Sequence, residues 1–432
     1  MTEPTTIPGA ATDLPVSAMA NGLVGSEILK IAADIRARIA AGEAVVNLTV
    51  GDFKPSVFSI PGVLKQGIAE AYDKGETNYP PSDGVPELRQ AVRNFYAERL
   101  GLDYSTASVV IAGGVRPVIY CAYRTLLDPG ETLAYPVPSW NNNHYAWLVG
   151  ARGQPIIARR ETNFLPTAGD LKPHLAGTRV LILNSPLNPA GTAFTEDELR
   201  KIVEMILDEN GRRAAAGQRP LMLLYDQVYW MLTFGTTTHI TPVAIDPRMR
   251  DYTLFTDGMS KAFAATGLRV GWCVGPEKVM KPFSDILGHV GAWAPRPEQI
   301  ACARFLADSA NLEAYSLCLK HGIEKRLVTL HEGFEAMRND GYPVESIAPQ
   351  GAIYLSARID LIGKTLAGTR LDTNEQIRQF LLKKAAMAIV PFQAFGLKEE
   401  SGWFRLSVGA LAPTDLDGLF PRLREVLGEA RG

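Results

Sequence analysis

The chain has 432 residues, 46% hydrophobic and 21% charged, which is more than one ordinary domain requires and typical of a globular protein. Its net charge of −2 offers no field to draw nucleic acid or an anionic membrane, and no apolar run approaches the ~18 residues of a membrane span. Cys121, Cys273, Cys302 and Cys318 show no C-x-x-C spacing and the six histidines are scattered, which argues against a disulfide framework or a metal site and for a reduced, cytoplasmic setting.

Residues 1 to about 20 read as a flexible arm without the basic and apolar regions of a signal peptide. Ile28, Ile31, Ala32 and Ile35 then share one face of a helix over 27–41 that Gly42 stops. Val45 to Val50 is a short strand ending in Gly51. Pro61 opens a helix closed by Gly75. Asn78-Tyr79-Pro80-Pro81-Ser82-Asp83-Gly84 is a rigid loop, and Leu88, Val92, Phe95 and Tyr96 stripe the helix after it.

From there strands and helices alternate. Val109–Ala112, Thr132–Tyr135, Val180–Leu183 and Leu221–Tyr225 read as strands, and Gly113-Gly114 opens a helix to about Leu127. Thr195 with Glu198 forms a capping box ahead of a helix striped by Leu199, Ile202, Val203 and Ile206. This alternation predicts an α/β fold with a mostly parallel sheet and helices on both faces, and such sheets bind ligands at the carboxyl ends of their strands. After about Asn311 a long helical stretch leads to strands over 352–355 and 404–408 and a helix over 414–427. This tail is expected to pack with the N-terminal segment as a smaller domain.

The chemistry concentrates where strand 252–255 runs into Thr256-Asp257-Gly258-Met259-Ser260-Lys261 and continues to Thr266-Gly267-Leu268-Arg269-Val270-Gly271. A lysine after a hydroxyl, among small apolar neighbours at a strand end, is desolvated, which lowers its pKa and frees it to attack a carbonyl. Gly113-Gly114-Val115 after a strand presents backbone N–H groups to a phosphate. Asp226 ends an apolar strand, where a carboxylate is costly unless paired, and Tyr229 lies within reach of the same ligand. Arg405 sits inside the apolar run Trp403-Phe404-Arg405-Leu406-Ser407 and calls for a bidentate anion. Arg116 is open to a phosphate, a distal substrate carboxylate or a surface ion pair.

From about Val46 to Leu411 the chain resembles the class I/II aminotransferases, the fold-type I enzymes that use pyridoxal 5′-phosphate. The resemblance implies a large domain with a seven-stranded-type sheet over residues 61–315. A smaller α+β domain is implied from residues 316–432 together with part of residues 1–60. It implies that Lys261 holds the cofactor as a Schiff base in a ping-pong amino transfer to a 2-oxo acid, and that Arg269 pairs with the phosphate. Trp140 of Pro138-Ser139-Trp140 would stack on the ring, and Asp226 would keep the ring nitrogen protonated. Tyr229 and Asn188, the latter in Asn184-Ser185-Pro186-Leu187-Asn188-Pro189-Ala190-Gly191-Thr192, would meet the ring oxygen. Gly51, Trp140, Asn188 and Arg405 would bind substrate, with Arg405 on the α-carboxylate. Tyr79 would reach the phosphate of a partner subunit, making the enzyme a homodimer. Gly258 stands where the family usually has a serine, with Ser260 or Thr256 as substitutes. Phe392 stands where the family has glycine. A further basic residue for a dicarboxylate substrate would come from Arg116, His289 or Arg296. The alternative keeps the site and changes the bond broken, to β-elimination, decarboxylation or racemisation.

Overall fold

A computed structural model describes residues 15–25 and 27–430, so most of the expected arm lies outside the described residues. In chain order the strands are β1 (Val46–Asn47), β2 (Val109–Ala112), β3 (Thr132–Val137), β4 (Arg152–Ile157), β5 (Thr178–Asn184), β6 (Met222–Asp226), β7 (Thr253–Gly258) and β8 (Gly271–Val274). They continue as β9 (Val344–Ser346), β10 (Tyr354–Ile359), β11 (Lys364–Leu366), β12 (Thr369–Leu371), β13 (Met387–Ala388), β14 (Val390–Pro391) and β15 (Trp403–Ser407).

Seven strands form one sheet in the order β2-β8-β7-β6-β5-β3-β4. Its β4-β3-β5-β6-β7 side is parallel throughout, while β8 runs antiparallel to both β7 and β2. The central strands are apolar runs, as strands buried on both faces must be. Leu181, Leu183, Leu223 and Phe255 point into one core, and Val180, Ile182, Leu224 and Leu254 into another. Helix Val115–Leu126 packs on the second face and helix Glu196–Ala215 on the first. The Thr195 hydroxyl accepts the Glu198 N–H at 3.3 Å, and the Glu198 carboxylate accepts the Thr195 N–H at 3.0 Å, so the expected capping box forms.

A four-stranded antiparallel sheet, β14-β15-β10-β9, carries the second unit. The N-terminal segment joins it through β1, which pairs in parallel with β13, Val46 facing Met387. Helix Ser309–Asn339 runs unbroken past residues 315 and 316.

Helices Glu277–Val290, Arg296–Ala307 and Asn374–Ala385 and the short strands of the second unit were not singled out in the sequence, and three further elements differ from expectation. β4 was not foreseen, because Arg152-Gly153-Gln154-Pro155 is a half-exposed edge and carries little apolar signal. The expected 414–427 helix divides at Gly418, whose φ of 74° ends the Pro413–Leu416 turn before helix Leu419–Val426 begins. The strand expected over 45–50 is reduced to Val46–Asn47, with Leu48 still bonded through its backbone to Ala388 and Ser407. Among the described residues no helix is long and apolar enough to cross a membrane.

The register lines up the carboxyl edge of the large sheet. Asn184 of β5 lies beside Asp226 of β6, which lies beside Thr256 of β7. Because β8 is reversed, its first residue, Gly271, lies level with both Gly258 and Ala112. Side chains from four separate strands therefore converge at one edge.

Candidate active site

A cavity of about 540 Å³ opens at this edge, between the large sheet and the β10–β15 face of the small one. Gly51, Val115, Arg116, Trp140, Asn188, Asp226, Tyr229, Ser260, Lys261, Arg269 and Arg405 all line it. Residues as far apart in sequence as Gly51 and Arg405 thus share one wall. A wider cleft of about 750 Å³, between helices Glu27–Ala40 and Asn374–Ala385, holds none of these residues, and its Arg378 is paired with Glu375.

Lys261 lies in the short helix Met259–Ala262 at the end of β7. Its Nζ donates to the Gly51 carbonyl at 2.6 Å and stands 5.9 Å and 6.0 Å from the centroids of the Tyr229 and Phe53 rings. Burial brings its pKa down to about 8, with Arg405, Arg116 and Arg269 acting in the same direction and Asp52 opposing them. The neutral amine is therefore far more accessible near neutral pH than that of an ordinary lysine.

Asp226 ends β6 and takes the Val228 N–H at 3.2 Å. Burial raises its carboxyl to about 6, against which the Val228 N–H acts. The Tyr229 hydroxyl is buried and lies 2.7 Å from that of Tyr354.

Arg405 is 1% exposed in β15. Its Nη1 donates to Asn188 Oδ1 at 3.1 Å and its Nη2 to the Thr49 carbonyl at 2.7 Å, while its Nε has no partner. The guanidinium is sandwiched between Tyr354 and Phe395, 4.6 Å and 4.9 Å from their ring centroids. No carboxylate pairs with it among the described residues. A buried, uncompensated guanidinium of this kind is a receptor for a ligand anion.

At the other end of the cavity, Gly114 (φ 93°) precedes helix Val115–Leu126, whose first N–H groups have no intrahelical partners. A Cβ on Gly114 would collide with the Arg269 guanidinium, so glycine is what lets that cation close over the helix start. Arg269 itself is exposed and donates to the Thr266 and Gly113 carbonyls at 2.8 Å and 3.1 Å. The Arg116 guanidinium covers the Trp140 ring at 4.7 Å.

The departures from the family pattern resolve sterically. A Cβ on Gly258 would sit 2.7 Å from Gly271 Cα and Val270 O, so no serine fits there. Ser260 lines the cavity, and Thr256 is buried beside it without lining it. Phe392 is buried against Phe164 at 4.9 Å, away from the cavity. Of the three basic candidates only Arg116 lines the site, since Arg296 is paired with Glu76 at 2.7 Å and His289 is exposed elsewhere. Tyr79 is not in the cavity; it is 82% exposed and meets Trp293 edge-on at 5.4 Å. Among the cavity residues that the sequence reading did not single out are Asp52, Tyr354 and Arg36, the last with Ile28 and Ala32 on one stripe of helix Glu27–Ala40. The four-residue spacing of 28, 32 and 36 was the available signal for that stripe.

The model of the family "Aminotransferase class I and II" matches residues 43–423. The chain belongs to that family. It is a transaminase. An aspartate aminotransferase of Rhizobium meliloti (strain 1021) is 31% identical over 389 residues, 88% of this chain and 89% of the relative. One of Streptomyces avermitilis is 29% identical over 425 residues, 97% and 98% of the two chains. The crystal structure of an aspartate aminotransferase from Rhizobium meliloti superposes with a TM-score of 0.86 at 27% identity, covering 96% of this transaminase and 99% of that chain. These matches favour amino transfer over elimination, decarboxylation or racemisation at the same site.

Proposed function

We propose that this transaminase carries pyridoxal 5′-phosphate on Lys261 and moves the amino group of an acidic L-amino acid to a 2-oxo acid by a ping-pong route. The observation that carries the reading is one cavity holding a desolvated lysine at a strand end, a carboxylate facing inward and a buried guanidinium without an anion. The donor set fits the cofactor. Its phosphate would be held by Gly114, Val115, Ser260 and Arg269, its ring by Trp140 and Asp226, and its ring oxygen by Tyr229 and Asn188. When bound, this group supplies an electron sink that acidifies the α-hydrogen of an amino acid.

The protein's own residues do the rest. Arg405 takes the α-carboxylate, assisted by Asn188 and the Gly51 backbone, and so orients the Cα–H bond. Asp226, as a carboxylate, would hold a proton on the ring nitrogen. Lys261 Nζ takes the proton from Cα as base and returns it as acid, a task suited to a group titrating near pH 8. The acidic donor is supported by the names of the relatives and by Arg116 and Arg36 on the cavity wall. In this reading residues 61–315 carry the cofactor, and residues 316–432 with part of 1–60 bring up Arg405. A homodimer accounts for the outward-facing Tyr79, which would reach the partner's phosphate, and a cytoplasmic setting is the expected one.

The test is spectral and kinetic. The purified protein is expected to be yellow, to bleach with aspartate or glutamate and to recover with 2-oxoglutarate. A panel of acidic, aromatic and branched donors ranks the substrates. A Lys261→Ala variant that turns over at the wild-type rate would overturn the assignment, as would loss of pyruvate and ammonia from substrate without an oxo-acid acceptor.

A further inference from the structure

Tyr354 opens β10 and is 1% exposed. Three groups of the site meet on it. Its hydroxyl lies 2.7 Å from that of Tyr229, the two rings meeting edge-on at 5.6 Å. Its ring face carries the Arg405 guanidinium at 4.6 Å. Gly51, whose carbonyl accepts the Lys261 amine, approaches so closely that a Cβ there would stand 3.0 Å from the Tyr354 hydroxyl.

A phenol has one hydrogen to give and lone pairs to receive. In a pair of phenols one must donate and the other accept, which leaves a single hydrogen unspent. Among the described residues no other hydrogen-bond partner is recorded for either hydroxyl. If Tyr229 gives its hydrogen to Tyr354, it faces the cavity with lone pairs alone. If Tyr354 is the donor, the Tyr229 hydrogen is free for the cavity, and the bond it receives makes it a stronger donor.

We propose that Tyr354 is a positioning residue for the cofactor: its hydroxyl donates to Tyr229, fixing the Tyr229 hydrogen towards the ring oxygen of the bound group. The inference rests on the cofactor reading given above. It assigns to an apparently ordinary core tyrosine the polarity of the catalytic pocket, and it ties the residue beneath the substrate carboxylate site to the one beneath the ring oxygen.

Tyr354→Phe keeps the ring, and with it the packing under Arg405, and removes only the donor. The readout is the pH midpoint of the absorbance change of the bound chromophore. A weaker Tyr229 donor stabilises an anionic ring oxygen less, so the chromophore should keep its proton to higher pH. The midpoint is expected to rise by about half a unit or more, part of the value of one hydrogen bond. A fluorotyrosine at position 354, a more acidic donor, should lower it. In a Tyr229→Phe background, Tyr354→Phe should add no further shift. An unchanged midpoint in Tyr354→Phe, a rise with the fluorotyrosine, or an equal shift without the Tyr229 hydroxyl overturns the proposal. If the wild-type protein forms no chromophore, the cofactor reading fails and this inference falls with it. A wild-type titration matched by the variant sinks this inference alone.

Discussion

The ends of β6 and β7 each carry a carboxylate, Asp226 partly exposed at the cavity and Asp257 buried at 1%, and their surroundings differ. Asp257 lies outside the cavity in a polar knot: Oδ2 accepts Trp230 Nε1 at 2.8 Å and the Tyr96 hydroxyl at 3.3 Å, and Oδ1 accepts the Gly258 N–H at 2.7 Å. Asp226 lines the cavity, takes the Val228 N–H, and has the Thr256 hydroxyl beside it as a further contact favouring ionisation. Burial pushes both upward, Asp257 to about 8 and Asp226 to about 6. The contrast teaches that a raised carboxyl pKa does not by itself identify a functional acid. A carboxylate whose partners are supplied by the fold holds the fold; one left short of partners at a cavity wall is arranged for a ligand.

Exchanging the two side chains one at a time should break or confirm that contrast. Asp226→Asn is expected to cut transamination by on the order of 10³, because a neutral amide cannot hold a proton on the ring nitrogen. Asp257→Asn should leave kcat within about tenfold, since that side chain does not reach the cavity. Steady-state rates with saturating donor decide this, and equal losses would erase the distinction.

Stability separates them at low pH. At pH 4, where neither folded carboxyl carries charge, Asp257→Asn sets an amide against the Trp230, Tyr96 and Gly258 donors and is expected to cost about 1–3 kcal/mol in denaturant unfolding. Asp226→Asn should stabilise the cofactor-free protein. A carboxyl whose folded pKa is raised, here from 3.8 to about 6, contributes stability below the unfolded pKa that is lost as pH rises through the folded one. At pH 8 the ionised wild-type side chain is therefore a burden, worth roughly 1–2 kcal/mol after allowing for its partial solvent access. The gain should vanish by pH 4, and unfolding midpoints at the two pH values measure it.

The smallest effect sharpens the comparison from the side of the base. The burial that lifts both acids lowers Lys261 to about 8. Capture of an aldehyde by cofactor-free protein should accelerate with pH up to a midpoint near 8 and then level off. A rate still climbing at pH 10 would mean that the amine is not desolvated.

The parts of this site that were legible in the sequence are residues out of keeping with their runs. Arg405 interrupts an apolar strand, Asp226 ends one, and Lys261 follows another among small side chains. Each is costly without a partner, and that cost is what a reader of sequence can detect. Asn188 was marked by its Pro-flanked turn. Tyr354 was illegible for the converse reason: an aromatic in Ala352-Ile353-Tyr354-Leu355 looks like core, and its ring is core while its hydroxyl is not. Arg36 looked like any helical arginine on a solvated face. The parallel core strands announced themselves as continuous apolar runs, whereas the reversed direction of β8 depends on contacts far along the chain.

Gly258 and Gly271 pinch together at the base of the 259–270 excursion, with no room for a side chain between them. Lys261 and Arg269 both hang from that clasp. A residue added to or removed from the excursion would shift Lys261 and Arg269 at the same time. Variation in what this enzyme accepts is therefore to be sought around Arg36, on helix Glu27–Ala40, rather than at Arg116, whose helix begins against the clasp at Gly114 and Val115.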